Sequence, residues 1–331
     1  MFRSGVAVDL GTVNTLVHVR GKGVVLDEPS AIALHKQAGG PTLVGCRADD
    51  LMGTEPADID VVHPLRDGVI SDLDAATAML RGFLHQAHFR SSLRRPRAVI
   101  CVPSGASFIE RRALAAAAVY RRPRLAVRLL EEPVAAAVGG GADPLGTEGV
   151  LVVDIGGGTT EVALVVGTHV VRLRTLRIGG NAMDEAILQA VKAELGLQIG
   201  PRAAEHLKKT LGLTGGTEES APVVGIDTAR GSVREERVSG PVVASALEHL
   251  VAAVVDAVEE LIWEIPPDLA AGVVRRKVQM SGGGALLQGL AGRIRTATGV
   301  TTVIVEEPLR SVVRGAATIL ERHFDLLPPA Q

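Results

Sequence analysis

The sequence predicts an α/β protein built as two similar halves, and two observations carry that prediction. Gly149 to Val166 reads GVLVVDIGGGTTEVALVV, two apolar, β-branched runs separated by a glycine turn, which is the pattern of a buried strand, a tight turn and a second strand. A related stretch, GVAVDLGTVNTLVHV, runs from Gly5 to Val19. One such hairpin is unremarkable; a twin in the other half of the chain implies a duplicated architecture.

The turns carry chemistry. Asp154 ends its strand, and Gly156, Gly157 and Gly158 follow without side chains, so backbone N–H groups can close around a phosphate. Thr159 and Thr160 add hydroxyl donors. A carboxylate beside a phosphate is repelled unless a cation lies between them, so Asp154 points to hydrated Mg²⁺. In the N-terminal copy Asp9 takes the same place, followed by Gly11, Thr12, Asn14 and Thr15. A glycine-rich turn alone also fits an ordinary hairpin; the pair argues for phosphates clamped between two halves.

Composition sets the bounds. With 331 residues, 47% hydrophobic and 22% charged, the chain has material for two cores and is not of disordered type. Aromatics make up 2%, so the cores are built from Val, Leu, Ile and Ala. A formal charge of -2 gives no electrostatic case for nucleic acid. Cys46 and Cys101 read as reduced packing residues of a cytosolic protein. MFRSGVAV lacks the apolar run of a secretory signal, and no stretch reads as a membrane span.

Taken in order, strands are expected at Gly5 to Leu10, Leu16 to Arg20, Val24 to Leu26, Ala31 to Leu34 and Thr42 to Val44, with a loop-rich inserted subdomain from His35 to about Val62. Asp72 can cap a helix whose apolar positions Leu73, Ala76, Met79, Leu80, Phe83 and Leu84 keep helical spacing. His85 and His88 on it stand at metal-pair spacing, but without further ligands they read as a solvated face. Ala98 to Val102 is a strand, and Ser107 with Glu110 forms a capping box for an Ala-rich helix. Val127 to Leu130 is the next strand, before Glu131, Glu132 and Pro133, with proline at the first helical position. Glu132 therefore sits at a strand-to-helix junction, where a carboxylate serves either as a base or water-positioning group for phosphoryl transfer or as a helix-dipole partner. Spacing alone does not choose.

In the second half, a strand from Val170 to Ile178 leads through Gly179 and Gly180 to a helix over Met183 to Leu195, stopped by Gly196. Pro201 to Leu211 is amphipathic; its Glu205, Lys208 and Lys209 either line a nucleotide or form the commoner solvated face. Leu213 to Gly240 is a mobile or hairpin segment. Pro241 opens a long helix to about Trp263, with Val243, Leu247, Leu250, Val251, Val254, Val258 and Leu261 as its stripe. Lys277 to Met280 is a strand entering SGGGALLQGL, where Gly282, Gly283 and Gly284 offer a surface bare of side chains for a flat base. Thr301 to Val305 is the last strand, and a helix follows to about Phe324, with Gly315 marking close packing.

These pieces resemble the actin superfamily of ATPases, and most closely the MreB/Mbl family of bacterial actin homologues. The matching stretches are DLGTVNTLVHVRGKGVVLDEPS, PLRDGVISD, PRAVICVPSG, LLEEPVAAAVG, VVDIGGGTTEV, MDEAI, PPDLAA, SGGGALLQGL and EEPLRSVVRGAA. They run in the family's order over nearly the whole length. The resemblance implies an actin-like fold: two duplicated α/β domains, each with a smaller inserted subdomain, and a nucleotide cleft between them. The first lobe is then 1–34 and 64–146 with 310–331 returning to it, and 35–63 is its insertion. The second lobe is 147–182 and 241–309, with 183–240 inserted.

By the same resemblance Gly11, Thr12, Val13 and Asn14 form the first phosphate loop and Gly156 to Thr160 the second, while Asp9 and Asp154 hold Mg²⁺ through water. Glu132 matches the glutamate that orients the attacking water, Glu205 and Lys208 the ribose and adenine contacts, and Gly282, Gly283, Gly284 and Ala285 the adenosine motif. The implied function is an ATP-binding, slowly hydrolysing protein that forms homopolymer filaments beneath the cytoplasmic membrane, contacts that membrane peripherally, and organises cell-wall synthesis and cell shape with morphogenetic membrane proteins. The chain departs from the family pattern at Asn181, where an acid is usual, at His206 beside Glu205, and over TARGSVREER, which replaces a more regular hairpin motif. The loop SSLRRPR carries Leu93 among Arg90, Arg94 and Arg95, and suits either anionic lipid or a plain basic loop. Two other classes compete: a monomeric chaperone-type ATPase switch, which would need a following substrate-binding domain, and a small-molecule kinase, which would need a further acidic motif. A paralogue deficient in polymerisation is a third outcome.

Overall fold

The computed structural model describes residues 4–36, 43–87, 96–120, 122, 124–213 and 219–330. His88, Arg90, Leu93, Arg94 and Arg95 lie outside the described residues, as do Gly39, Gly40 and Pro41. The chain divides into two compact units, Met1–Glu148 with Val165–Val171 and Leu309–Gln331, and Gly149–Leu164 with Arg172–Pro308.

The first unit begins with β1 (Gly5–Leu10), β2 (Asn14–Val19) and β3 (Gly23–Pro29), an antiparallel meander. Small elements follow: β4 (Ile32–His35), β5 (Leu43–Val44), α1 (Cys46–Asp49), β6 (Ile59–Val62), β7 (Leu65–Arg66) and β8 (Val69–Ile70). β4, β5 and β6 make their own sheet in the order β5-β4-β6. Then come α2 (Leu73–Gln86), β9 (Arg97–Val102), α3 (Phe108–Val119), β10 (Ala126–Glu131) and α4 (Glu132–Gly139). The main sheet runs β10-β9-β1-β2-β3, with β1, β9 and β10 parallel.

Local chemistry sets the helix starts. Asp72 accepts from Ala75 N at 2.9 Å, and Ser107 with Glu110 completes a capping box, two orphan donors satisfied at once. The core forms where Val6, Val8 and Leu10 meet Met79, Leu80, Phe83 and Leu84 of α2, all buried. Burying each of the large side chains contributes about 1.5–3 kcal/mol. Cys101 is buried as a packing residue, but Cys46 is exposed at the start of α1, so the expectation of a packing role fails there.

The second unit repeats the design with β11 (Gly149–Ile155), β12 (Thr160–Val166) and β13 (His169–Leu176), then α5 (Gly180–Leu195), β14 (Leu197–Gln198) and α6 (Pro201–Leu211). β15 (Ser220–Asp227) and β16 (Val233–Ser239) pair antiparallel, so TARGSVREER belongs to a regular hairpin. Next are α7 (Gly240–Trp263), α8 (Pro267–Arg276), β17 (Val278–Ser281), α9 (Leu290–Thr298) and β18 (Thr302–Ile304). The main sheet is β13-β12-β11-β17-β18, with β11, β17 and β18 parallel. Both main sheets thus place a three-strand meander beside two further parallel strands.

α7 is long and apolar enough to span a membrane, contrary to expectation. Its stripe from Val243 to Leu261 is nevertheless buried except for the partly buried Leu250, and it packs against α5, α6 and α9, as a core helix does. α10 (Ser311–Thr318) returns to the first unit and continues through Ile319–His323, a wider turn, in place of a regular helix to Phe324. Gly139 and Gly315 allow α10 to lie on α4: a Cβ on Gly315 would stand 1.8 Å from Ala135 O, and one on Gly139 1.9 Å from Ser311 O.

Candidate functional site

Apart from Glu205 and Lys208, which lie on α6, the site residues singled out by sequence fall at the C-terminal edges of parallel strands, where ligands of α/β sheets bind. In the first unit the register pairs Val8 with Ile100 and Ile100 with Leu129. Asp9, the turn Gly11–Val13 and Glu132 therefore share one edge. In the second, Asp154 lies opposite Ser281 on β17, which brings Asp154, Gly156–Thr160 and Gly282–Ala285 to one edge as well.

The first turn is held by side chains. Ser30 Oγ donates to Gly11 O at 2.6 Å and Ser30 N to Val13 O at 2.7 Å. Because Ser30 Oγ gives its proton to Gly11, the buried Thr15 hydroxyl, 2.8 Å away, is the donor of that pair. Asn14 Nδ2 donates to Asp27 Oδ1 at 3.0 Å. Gly11 is required on close approach, since a Cβ there would stand 2.7 Å from Asn14 O. Thr12 is half-buried, and Val13 and Asn14 are exposed.

Backbone and a following helix hold the second turn. Gly156 N donates to Thr159 O at 2.8 Å, Gly180 N to Gly156 O at 3.0 Å and Asn181 N to Gly157 O at 2.8 Å. Thr160 Oγ1 donates to Ile178 O at 2.7 Å, so this hydroxyl is committed to the fold. Helix α5 begins three residues before the expected Met183, which is how its first N–H groups reach the turn. Gly179 has no room for a side chain: a Cβ would lie 2.5 Å from Gly157 O.

Asp154 is buried, and burial pushes its carboxyl up to about 6 against an opposing hydrogen bond from Ser281. Its Oδ1 is buried and accepts no hydrogen bond. A buried carboxylate oxygen is costly unless paired, so the residue fits a cation or a cation-bound water. Among the described residues no three His, Cys, Asp or Glu side chains cluster to hold a metal. A cation at Asp154 would therefore take most of its ligands from phosphate and water.

Next to Asp154 the glycines of the third turn meet Ile155. Gly282 has φ 77°, and a Cβ on it would stand 2.3 Å from Ile155 O; one on Gly284 would stand 2.1 Å from Ile155 Cγ2. Glycine at 282 and 284 thus has a packing reason, while Gly283 is exposed and Ala285 buried.

On α6, Lys208 Nζ lies 2.7 Å from Asp184 Oδ1 and donates to Gly180 O at 2.9 Å. It is not part of a solvated face but braces the start of α5 behind the second turn. Burial raises the Asp184 carboxyl, and Lys208 opposes this. Glu205 pairs with Lys209 at 2.7 Å; that hydrogen bond holds its carboxyl below the usual value.

Glu132 opens α4, with Pro133 second rather than first in the helix. The strand end before it is fixed by Arg111, whose Nη2 lies 3.0 Å from Glu131 Oε1 and 3.1 Å from Ser104 O. Ser30, Asp27, Ser281 and Asp184 were not singled out by sequence reasoning, and Gly179 only as a turn residue. For the first two the only signal is their place in the DEPS stretch after a strand.

Comparison with known proteins gives the family and the fold. The MreB/Mbl protein family model matches residues 3–327. Cell shape-determining protein MreB of Escherichia coli (strain K12) is 39% identical over 328 residues, covering 97% of this chain and 94% of that protein. Mbl of Bacillus subtilis (strain 168) is 36% identical, covering 99% and 98%. MreB5 of Spiroplasma citri, solved bound to ADP, superposes with TM-score 0.86 at 31% identity, covering 96% of each chain. The MamK double helical filament gives TM-score 0.80 at 25% identity, covering 97% and 99%. With the family model spanning nearly all residues and the actin-like fold shared with these structures, the chain belongs to the MreB/Mbl family.

Proposed function

We propose that this chain is an ATP-binding bacterial actin homologue that polymerises beneath the cytoplasmic membrane and organises cell-wall synthesis and cell shape. The observation that carries the reading is the duplicated Asp–Gly turn at equivalent strand ends of two like sheets. Similarity supports it: MreB5 of Spiroplasma citri was solved with ADP and with AMPPNP, and MamK as a filament.

In this reading Gly11–Asn14 and Gly156–Thr159 bind the phosphates, Thr160 serving only through its backbone because its hydroxyl is bonded to Ile178 O, and Glu205, Lys208 and Gly282–Ala285 form the nucleoside side of the site. Asp154 and Asp9 take Mg²⁺ through water. Mg²⁺, when bound, neutralises phosphate charge. Glu132 orients the attacking water and takes up its proton. The lobes are then 1–34, 64–146 and 310–331 with 35–63 inserted, and 147–182 and 241–309 with 183–240 inserted. The protein is cytoplasmic with peripheral membrane contact, and its partners are further copies of itself and morphogenetic membrane proteins.

The test is sedimentation with Mg²⁺-ATP against Mg²⁺-ADP, with and without liposomes, for wild type and Glu132→Ala. Pelleting that depends on ATP, and that Glu132→Ala prolongs while abolishing phosphate release, supports the proposal. Nucleotide binding without assembly at any concentration or on any lipid overturns the filament claim in favour of a monomeric switch or a paralogue deficient in polymerisation.

A further inference from the structure

We propose that Asp27 and Arg310 are positioning residues for the first phosphate turn, and that they tie it to the point where the chain passes from one unit to the other. This rests on the nucleotide reading above. Asn14 gives one of its two amide protons to Asp27 Oδ1 at 3.0 Å, which leaves the second proton and Oδ1 of Asn14 for a phosphate or its water. The other oxygen of Asp27, Oδ2, lies 3.6 Å from Arg310 Nη2.

A carboxylate one hydrogen bond away from a phosphate-binding turn works against the phosphate through like-charge repulsion. The guanidinium of Arg310 offsets that charge and keeps Asp27 aimed at Asn14. Both side chains are partly open to water, with 36% of Asp27 and 45% of Arg310 exposed, so screening leaves the pair little weight in stability. Orientation and local charge are the effects that remain.

Arg310 also has a telling place in the chain. The second unit ends at Pro308 and the first resumes at Leu309, so Arg310 is the second residue after the crossing. Ser311, next in sequence, is buried and backs onto Gly139 of α4. The crossing is thus anchored to the helix opened by Glu132 on one side and, through Arg310 and Asp27, to Asn14 on the other. Occupancy of the first turn and the seating of the crossing segment become linked through one amide and one ion pair.

The experiment is titration of Mg²⁺-ATP into wild type, Arg310→Gln, Asp27→Asn and the double variant, with melting temperature of each nucleotide-free protein alongside. Arg310→Gln should weaken ATP binding about tenfold, a typical pairwise coupling, with little change in melting temperature. Adding Asp27→Asn should restore affinity to within about twofold of wild type, because asparagine keeps an acceptor for Asn14 without the charge. Unchanged affinity in Arg310→Gln overturns the inference and leaves the proposed function standing. A loss that Asp27→Asn does not repair also overturns it, since Arg310 would then act by a contact of its own. Failure of wild type to bind Mg²⁺-ATP overturns the nucleotide reading and this inference together.

Discussion

The two glycine turns occupy equivalent places in equivalent sheets, yet they are built differently. The turn after β1 is open at its tip and held by three side chains, Ser30, Thr15 and Asp27. That after β11 is mostly covered and held by backbone bonds to the start of α5, which Lys208 braces. Duplication conserved the strand ends and the Asp–Gly pattern; the supports were solved separately in each half. The side-chain-held turn should therefore be tunable by small substitutions, whereas the backbone-held one should tolerate few.

Gly179→Ala is the sharpest way to break this comparison. Its Cβ would sit 2.5 Å from Gly157 O, and relief requires moving the turn or the helix. We expect a loss of about 2–4 kcal/mol of stability and ATP affinity reduced at least about a hundredfold, read by thermal melting and calorimetry.

Asp154→Asn tests the charge in the covered turn. Burial raises this carboxyl from 3.8 to about 6, so ionisation costs the nucleotide-free fold on the order of 3 kcal/mol at neutral pH. The variant should melt higher without ligand and lose the Mg²⁺-dependent gain in ATP affinity. Unchanged Mg²⁺ dependence would remove Asp154 from the cation site.

The same group predicts a pH dependence. Between 3.8 and about 6 the folded state holds the Asp154 proton more tightly than the unfolded chain. The contribution of this group to stability is thus fully present below the unfolded value and declines as pH rises through about 6. A cation favours the ionised form, so Mg²⁺-ATP affinity should weaken as pH falls below about 6, by up to about tenfold per unit. Asp154→Asn should flatten that profile.

Ser30→Ala is expected to have the smallest effect. It removes the hydroxyl donor to Gly11 O and an acceptor for Thr15, costing about 1–3 kcal/mol, and the exposed turn can recruit water in its place. ATP affinity should fall only about threefold, or about 0.7 kcal/mol. A loss as large as that of Gly179→Ala would erase the distinction between the turns.

Much of this was legible in the sequence because apolar runs ending in Asp-Leu-Gly and Asp-Ile-Gly mark β1 and β11, and because Asp72 and the Ser107–Glu110 pair announce their helices. The elements from α1 to β8 are too short to show a period. Pro222 and the charges of Val233–Ser239 leave the stretch of β15 and β16 open, by sequence, between a mobile segment and the hairpin that forms. α8 lacks a clean stripe, since Ala270, Ala271 and Gly272 give periodicity little contrast. In the site, glycines and acids were readable as types, but their supports were not. Asp27 and Ser30 act only because β3 returns beside β2, and Lys208 changes meaning because α6 packs on α5. Such roles depend on pairings that no local pattern records.

The most direct test of the central claim is calorimetric titration of ATP into the wild-type protein with Mg²⁺ and with chelator, repeated for Asp154→Asn. The proposed function predicts a single ATP per chain, tightened by Mg²⁺ in wild type and indifferent to Mg²⁺ in the variant. Absence of ATP binding, or an affinity that Mg²⁺ leaves unchanged in wild type, would contradict it.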